Sequence, residues 1–457
     1  MNKRIDLLEG NIFTSLTKLA IPIMATSFIQ MAYNMVDMIW IGKLGSGSVA
    51  ATGVAGMYIW LSNGFTTLAR MGGQVKVAHS LGAKKQEEAI AYAKNSLQLC
   101  ALLGLIYALI MLVFTKPLIG FFNLTDKKVI YDANLYLKII SIGLIFTFLN
   151  QGMTGVITAS GNSKTPFTAN AIGLVVNIIL DPILIFGFYK IPPMNVAGAA
   201  IATVASQILV FLLFILYAKN DDLLFVGIKL FSKPDIKYIF TIVKIGFPVA
   251  VQGSFFTVVT MFISRMVANW GDIAIAVQKV GSQIESISWM TAEGFASAVN
   301  IFIGQNYGAN NYNRAKKGYR TSLLTIAIWG IISTGLLVFI PKSLFTIFIN
   351  EADAIPYGID YLIILGYSQL PMCIEIVTAG AFAGFGRTIY PSIVSVVLTG
   401  LRLPLAAILV YVGLGLNGIW WSITISSILK GLILIIIFII FIKKKDKENT
   451  VLFETKY

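Results

Sequence analysis

The sequence predicts an all-α integral membrane protein, with twelve transmembrane helices in two six-helix parallel repeats around a central cavity. Composition, segment lengths and an internal repeat support this fold class. The 457-residue chain is 57% apolar and 12% charged, and its mean hydropathy is +0.80. Soluble domains carry about 25% charged residues. The composition therefore excludes an ordinary soluble protein and disfavours any nucleic-acid partner.

Twelve apolar segments are separated by charged or Gly/Pro-rich breaks. Each approaches or exceeds the roughly 20 residues that a helix needs to cross a bilayer. Helices are expected rather than strands, because a backbone in lipid must satisfy its own hydrogen bonds. The predicted spans are 13–41, 49–75, 95–115, 133–159, 167–188, 197–217, 240–268, 274–303, 320–340, 356–384, 391–412 and 417–442.

The basic residues predict the orientation. Of the 35 Lys and Arg residues, 22 fall on the side of the N-terminus, counting Lys18 and Arg320 near the ends of their spans; six fall in the opposite loops, and the other seven lie within spans. Since cytoplasmic loops are enriched in Lys and Arg, we expect a multi-pass protein of the cell membrane with both termini in the cytoplasm. The expected parts are a cytoplasmic N-terminus (1–12), an N-terminal lobe (13–217), a cytoplasmic linker (218–239), a C-terminal lobe (240–442) and a basic cytoplasmic tail (443–457).

The two halves of the chain repeat one another at a nearly constant offset. The offset is 226 for the first two matches below, 225 for the third and 220 for the fourth. Because six spans is an even number, the halves share one orientation, which is a parallel repeat typical of transporters. The matches are LTKLAIPIM (16–24) with IVKIGFPVA (242–250), HSLGAKKQEEA (79–89) with QNYGANNYNRA (305–315), TGVITASGNSKTP (154–166) with AGAFAGFGRTIYP (379–391), and GAAIATVASQI (198–208) with GIWWSITISSI (418–428).

Three stretches carry a family resemblance: YNMVD in the first span, NIILDPILIFG in the fifth and GQNYGA after the eighth. With the twelve spans and two halves, the chain resembles a multidrug and toxic compound extrusion (MATE) transporter over essentially its whole length. The resemblance implies a secondary antiporter, not an enzyme, that exports small cationic, lipophilic xenobiotics. It implies no cofactor besides H⁺ or Na⁺ as the coupling ion. We expect a monomer in the lipid bilayer.

Carboxylates inside the spans indicate a functional site, since each costs about 3 kcal/mol on insertion scales. Asp37 follows Tyr33 by one helical turn, and Asp181 follows Asn177 by one turn, so each pair shares a helix face. Pro182 has no N–H and frees the carbonyl one turn earlier. Such hard oxygen ligands suit a proton or a small cation.

In the family, the N-terminal half carries an ion site formed by an Asp on span 1, an Asn and an Asp on span 5, and a Thr on span 6. The resemblance therefore predicts a coupling site, and the ligands of any Na⁺, at Asp37, Asn177, Asp181 and Thr203. Tyr33 and Asn150 resemble polar residues that the family places around this site. The alternative is that these groups form structural hydrogen bonds between helices.

The C-terminal half lacks the corresponding carboxylates. Some family members bind sodium there through an acid on span 7, but span 7 of this chain contains none. We therefore expect ion coupling in the N-terminal half. The residues that correspond across the repeat are Ile263 to Asp37, Arg402 to Asn177 and Ala406 to Asp181.

Other residues suggest a cavity for the substrate. Acidic groups favour a cation by offsetting its desolvation, although they also suit buried ion pairs with Arg265, Lys279 or Arg402. Methionine and aromatic side chains form adaptable apolar linings, although such residues also face lipid or other helices. The predicted cavity residues are Met31, Met35, Glu285, Trp289, Glu293 and Glu375.

Two alternative functions fit the sequence less well. A lipid-linked oligosaccharide flippase has a related architecture, but its anionic substrate favours a basic cavity. An integral-membrane enzyme is disfavoured, because the chain has one His, two Cys and no HExxH or GxSxG motif. The sequence leaves the choice between H⁺ and Na⁺ and the natural substrate open.

Overall fold

The computed structural model describes residues 4–454 apart from residues 227, 229 and 231. This part of the chain is helical, with one isolated antiparallel bridge between Phe188 and Ile191. The predicted segments that lie partly outside the described residues are the N-terminus (at 1–3), the linker (at 227, 229 and 231) and the tail (at 455–457).

The first half of the chain forms long helices joined by short connections. Each of the first six predicted spans coincides with one long helix, and a short helix, α4, precedes the fourth. The helices are α1 (Ile12–Gly42), α2 (Ser46–Gly82), α3 (Gln86–Val113), α4 (Thr115–Gly120), α5 (Lys127–Ala159), α6 (Lys164–Phe186) and α7 (Asn195–Lys219).

The second half is more broken. The predicted tenth span is a pair, α12 and α13, bent by 47°. The eleventh consists of α14, α15 and a π-helical segment, Val410–Leu414. The helices are α8 (Ile236–Ala268), α9 (Asp272–Gly308), α10 (Tyr312–Phe339), α11 (Pro341–Thr346), α12 (Ile355–Gly366), α13 (Gln369–Gly384), α14 (Ile389–Gly400), α15 (Arg402–Leu409) and α16 (Gly415–Glu454).

Length and hydropathy alone select fewer spans than the twelve predicted. Among the described residues, eight helical stretches are long and apolar enough to cross a membrane. The number is nine when the bent pair α12 and α13 counts as one span. Helices α2 and α9 are long enough but rich in small and polar residues. Ile389–Asp446 passes as one stretch, although it covers two predicted spans and contains a break where Gly413 and Gly415 have φ of 100° and 53°.

The exposed apolar side chains explain why these helices need lipid. On α3, residues at helical spacing leave about half of each side chain uncovered, as Leu102, Leu105 and Leu109 show. An apolar stripe of this kind is unfavourable in water. The exposed stripe therefore fits contact with acyl chains.

The described chain divides into two compact units. The first is built on Thr17–Ala250 and includes Gly304–Asn311, and its core packs around Phe148. The second is built on Val251–Ile303 and the described chain from Tyr312 onwards, and its core packs around the fully buried Trp420.

Within the first unit, the last turns of α2 and α9 cross at two glycines. A Cβ at Gly82 would overlap the carbonyl oxygen of Gln305, and a Cβ at Gly308 would overlap that of His79. Residues 82 and 308, like 79 and 305, are 226 apart. The two halves of the repeat therefore make equivalent contacts at this crossing. The helices can approach so closely because Gly82 and Gly308 have no side chain.

The Gly82→Ala substitution is expected to lower the thermal stability of the protein in detergent. Alanine favours a helix by about 1 kcal/mol over glycine, but overpacking costs about 1–3 kcal/mol, and backbone atoms cannot move aside cheaply. The matched control is Gly56→Ala on the same helix, where no atom lies within 4 Å of the added Cβ. Equal melting temperatures for the two variants would contradict the prediction.

Candidate functional site

Helices α1, α6 and α7 of the first unit bring four predicted site residues together. Thr203 Oγ1 donates to Asp37 Oδ2 at 3.3 Å. Asn177 Nδ2 donates to Asp181 Oδ1 at 3.2 Å. The Asp37 carboxyl also lies close enough to Asp181 to interact with it electrostatically. Two carboxyl groups from different helices thus meet, with an amide and a hydroxyl beside them.

The oxygens of this site are not all satisfied by the protein. Asp181 and Asn177 are fully buried, at 0% exposure. Asp37 Oδ1, Asn177 Oδ1 and Asp181 Oδ2 accept no hydrogen bond from any donor in the described part of the chain. Ionised carboxylates only accept hydrogen bonds. A set of carboxyl, amide and hydroxyl oxygens of this kind suits a proton or a small hard cation.

The local sequence explains the geometry of α6. Asn177 and Asp181 are one turn apart, so both side chains point to the same neighbours. The helix runs unbroken through Pro182, which cannot bond the carbonyl of Ile178. A backbone oxygen on the turn between the two polar side chains thus loses its helical partner.

Two tyrosines surround the acids. Tyr33 is buried, its hydroxyl has no partner among the described residues, and a Cβ at Gly173 of α6 would overlap it. Tyr33 and Tyr136 each interact electrostatically with both Asp37 and Asp181. Sequence reasoning missed Tyr136. Its one signal was the 14-residue spacing to Asn150, which places the two within about 40° on α5.

Asn150 bonds a neighbouring helix rather than the acids. Its Nδ2 donates to the backbone oxygen of Gln207 at 2.9 Å and to the Oε1 of Gln207 at 3.0 Å. Its own Oδ1 is buried without a described donor. These contacts show a link from α5 to α7, which is the structural alternative weighed for this residue.

The six predicted cavity residues divide between the units. Met31 and Met35 lie on α1, where Met35 is 45% exposed. The remaining four belong to the second unit. Of these, Trp289 is half-buried and Glu293 is exposed.

The other two predicted cavity acids, Glu285 and Glu375, have polar partners within the second unit. Glu285 accepts a hydrogen bond from Gln369 Nε2 at 2.9 Å. Glu375 Oε2 lies 3.1 Å from Lys430 Nζ. Lys430 was not among the cations that the sequence offered as partners, because it lies inside the apolar run of the last span.

Comparison with known proteins places the chain in a family. The MatE family model matches residues 22–183 and 248–408. The probable multidrug resistance protein NorM of Thermotoga maritima is 26% identical over 93% of this chain and 91% of its own. The probable multidrug resistance protein YoeA of Bacillus subtilis is 26% identical over 90% of each chain.

Solved structures show the same fold. A MOP superfamily transporter from Pyrococcus furiosus matches with a TM-score of 0.88 and 24% identity, over 96% of this chain and 98% of its own. A multidrug resistance MATE transporter in an outward-facing conformation matches with a TM-score of 0.89 and 23% identity, over 97% and 98%.

These findings confirm the family resemblance and the predicted all-α membrane fold of the MATE type. The MatE model matches once in each half of the chain, at offsets of 226 between the starts and 225 between the ends, as the internal repeat requires. The matches together cover more than half of the chain, so the protein belongs to the MATE family of multi-pass membrane transporters and is not an enzyme.

Proposed function

We propose that the protein is a secondary antiporter that exports small cationic, lipophilic compounds, including drugs, in exchange for H⁺ or Na⁺. The coupling ion binds at Asp37, Asn177, Asp181 and Thr203. One observation carries this proposal: two carboxyl groups from different helices adjoin one another with buried oxygens that no described donor satisfies. The relatives named as multidrug resistance proteins support the substrate class.

The exchange requires that ion and substrate each bind two conformations differently. In this proposal the lobes at 13–217 and 240–442, joined by the cytoplasmic linker at 218–239, alternate between two conformations, and the monomer keeps both termini in the cytoplasm. The acids of the first lobe accept the ion in one state and release it in the other. The pathway for the substrate includes the predicted cavity residues.

Pro22 is the proposed bending point of α1. The helix continues through Pro22, which leaves the carbonyl of Lys18 without its helical donor. Thr26 Oγ1 donates to the Pro22 carbonyl at 2.8 Å, a side-chain bond of the kind that often bends a helix. Proline is the commonest cause of a helix kink. A bend here would move Asp37 relative to α6 and α7.

Separate ion gradients test the function. In proteoliposomes loaded with ethidium, either an imposed pH gradient or an imposed sodium gradient is expected to drive dye movement above the rate without a gradient.

One relative, from Shewanella oneidensis, is an FAD transporter, 24% identical over 94% of this chain. FAD is therefore the matched anionic substrate. Dye that responds to neither gradient, with FAD that responds, would reject the proposed substrate class.

A further inference from the structure

The second unit contains a charged cluster, which we define as Glu285, Glu375, Arg402 and Lys430; Glu285 is half-buried and the other three are buried. Lys430 is 5% exposed, Arg402 6% and Glu375 7%. Buried charges are costly unless they are paired. Lys430 Nζ contacts Glu375 at 3.1 Å, and Arg402 interacts electrostatically with both acids. The two cations and two acids of the cluster therefore balance.

The Arg402 side chain is held by the last helix. Its Nε donates to Ser426 Oγ at 3.1 Å, and an Nη donates to Ser427 Oγ at 3.0 Å. Both serines are buried on α16. The guanidinium thus lies at a fixed place between α15 and α16.

The charged cluster occupies the position in the second half that the candidate ion site occupies in the first. The family model matches both halves at offsets of 226 and 225, and the last span follows at 220. Five residues in or beside the cluster then correspond to residues of the first half: Arg402 to a residue of the ion site, Tyr361 to the tyrosine beside it, and the other three to the link between α5 and α7 at Asn150. The pairs are Tyr361 with Tyr136, Glu375 with Asn150, Arg402 with Asn177, Ser426 with Ser206, and Ser427 with Gln207.

Three of the four oxygen ligands of the first half are replaced by apolar side chains. Asp37 corresponds to Ile263, Asp181 to Ala406 and Thr203 to Ile423, and both Ile263 and Ala406 are buried. At the same time the second half gains two cations, since Arg402 stands for Asn177 and Lys430 for Val210. The first site therefore has acids and no cation in its side chains, whereas the second has both.

We infer that Arg402 and Lys430 are resident cations filling the second half's counterpart of the ion site, so that the protein exchanges ions at one site only. This inference rests on the proposed function for the first site. A covalently attached ammonium 3.1 Å from Glu375 neutralises the carboxylate in every state of the cycle. An exchangeable ion cannot displace it without leaving a second buried charge unpaired. Removing Lys430 should make Glu375 bind a monovalent cation or a proton.

The test uses the full-length protein in detergent with the first site silenced by Asp37→Asn and Asp181→Asn together. Two quantities are measured: equilibrium binding of ²²Na⁺ at alkaline pH, and proton uptake after a step to acid pH. On this background we expect no bound sodium, and Glu375→Gln should leave the proton uptake unchanged. Adding Lys430→Met should give one extra sodium or one extra proton per chain.

Two matched variants define the expected result. Lys430→Arg keeps a cation and should behave like the silenced background, and Lys430→Met with Glu375→Gln removes both charges and should do the same. The inference is overturned if the silenced background still binds an ion that Glu375→Gln abolishes, a result that does not depend on Lys430→Met folding. It is also overturned if folded Lys430→Met gains neither ion.

The silenced background separates this inference from the proposed function. If the protein without substitutions binds no more ions than the silenced background, the first site fails as the coupling site. The response of the charged cluster to Lys430→Met is still measured in that case. Failure of either idea is thus visible without the other.

Discussion

The Asp181→Asn and Asp37→Asn substitutions are each expected to lower gradient-driven efflux by about 5- to 150-fold, the range of ordinary coupling free energies. Asparagine keeps the size of the side chain and its ability to hydrogen-bond. It cannot exchange a proton or neutralise a cation in the transport cycle. Without a change of charge at this site, ion binding no longer distinguishes the two conformations, and the gradient does no work. Dye efflux from energised vesicles measures the effect.

The control is Asp222→Asn, at an exposed acid of the same unit, which should transport at the original rate. Thr203→Ala should reduce efflux less than either carboxylate variant, because it removes one neutral ligand. Thermal stability in detergent shows whether each variant is folded. Original efflux rates in both Asp37→Asn and Asp181→Asn would show that coupling lies elsewhere.

The sequence predicted the positions of the helices and the internal repeat well, because each depends on a pattern that recurs along the chain. Apolar length located the helices, and the matching glycines and prolines located the repeat that the family model detects. The sequence did not predict where helices break within a span. The tenth span is bent by 47° between α12 and α13. The eleventh ends at a break where Gly413 and Gly415 adopt positive φ within an otherwise uniform apolar run. Hydropathy averages conceal such breaks.

Part of the candidate site likewise follows from local sequence, and part depends on how the helices pack. The Asn177–Asp181 bond follows from their spacing of one helical turn. The approach of Thr203 to Asp37 joins residues 166 apart, and no local pattern specifies it; the family resemblance suggested it. Tyr136 is one of 18 tyrosines, and its place beside the acids depends on how α5 packs. Glu375 was identified from its cost in a span, but its partner Lys430 was not.

The Lys430→Met substitution is expected to destabilise the protein by about 3–5 kcal/mol, the usual cost of breaking a buried ion pair from one side. Methionine fills much of the space of the lysine stem but leaves the Glu375 carboxylate without its ammonium partner. Glu375→Gln alone should also destabilise, since it leaves the ammonium unpaired. Apparent melting temperatures in detergent, ranked under identical conditions, give the measurement.

The double variant Lys430→Met with Glu375→Gln shows whether Lys430 and Glu375 stabilise the protein through their ion pair or through packing. A neutral pair of similar volume should recover most of the lost stability, because replacing a buried pair as a whole is often neutral or favourable. The coupling energy of the cycle then reports the ion pair itself. Added sodium or acid should stabilise Lys430→Met alone and leave the double variant unaffected, since only the single variant retains a carboxylate to neutralise. If the two losses simply add, Lys430 and Glu375 contribute through packing, and the resident cation has no electrostatic role.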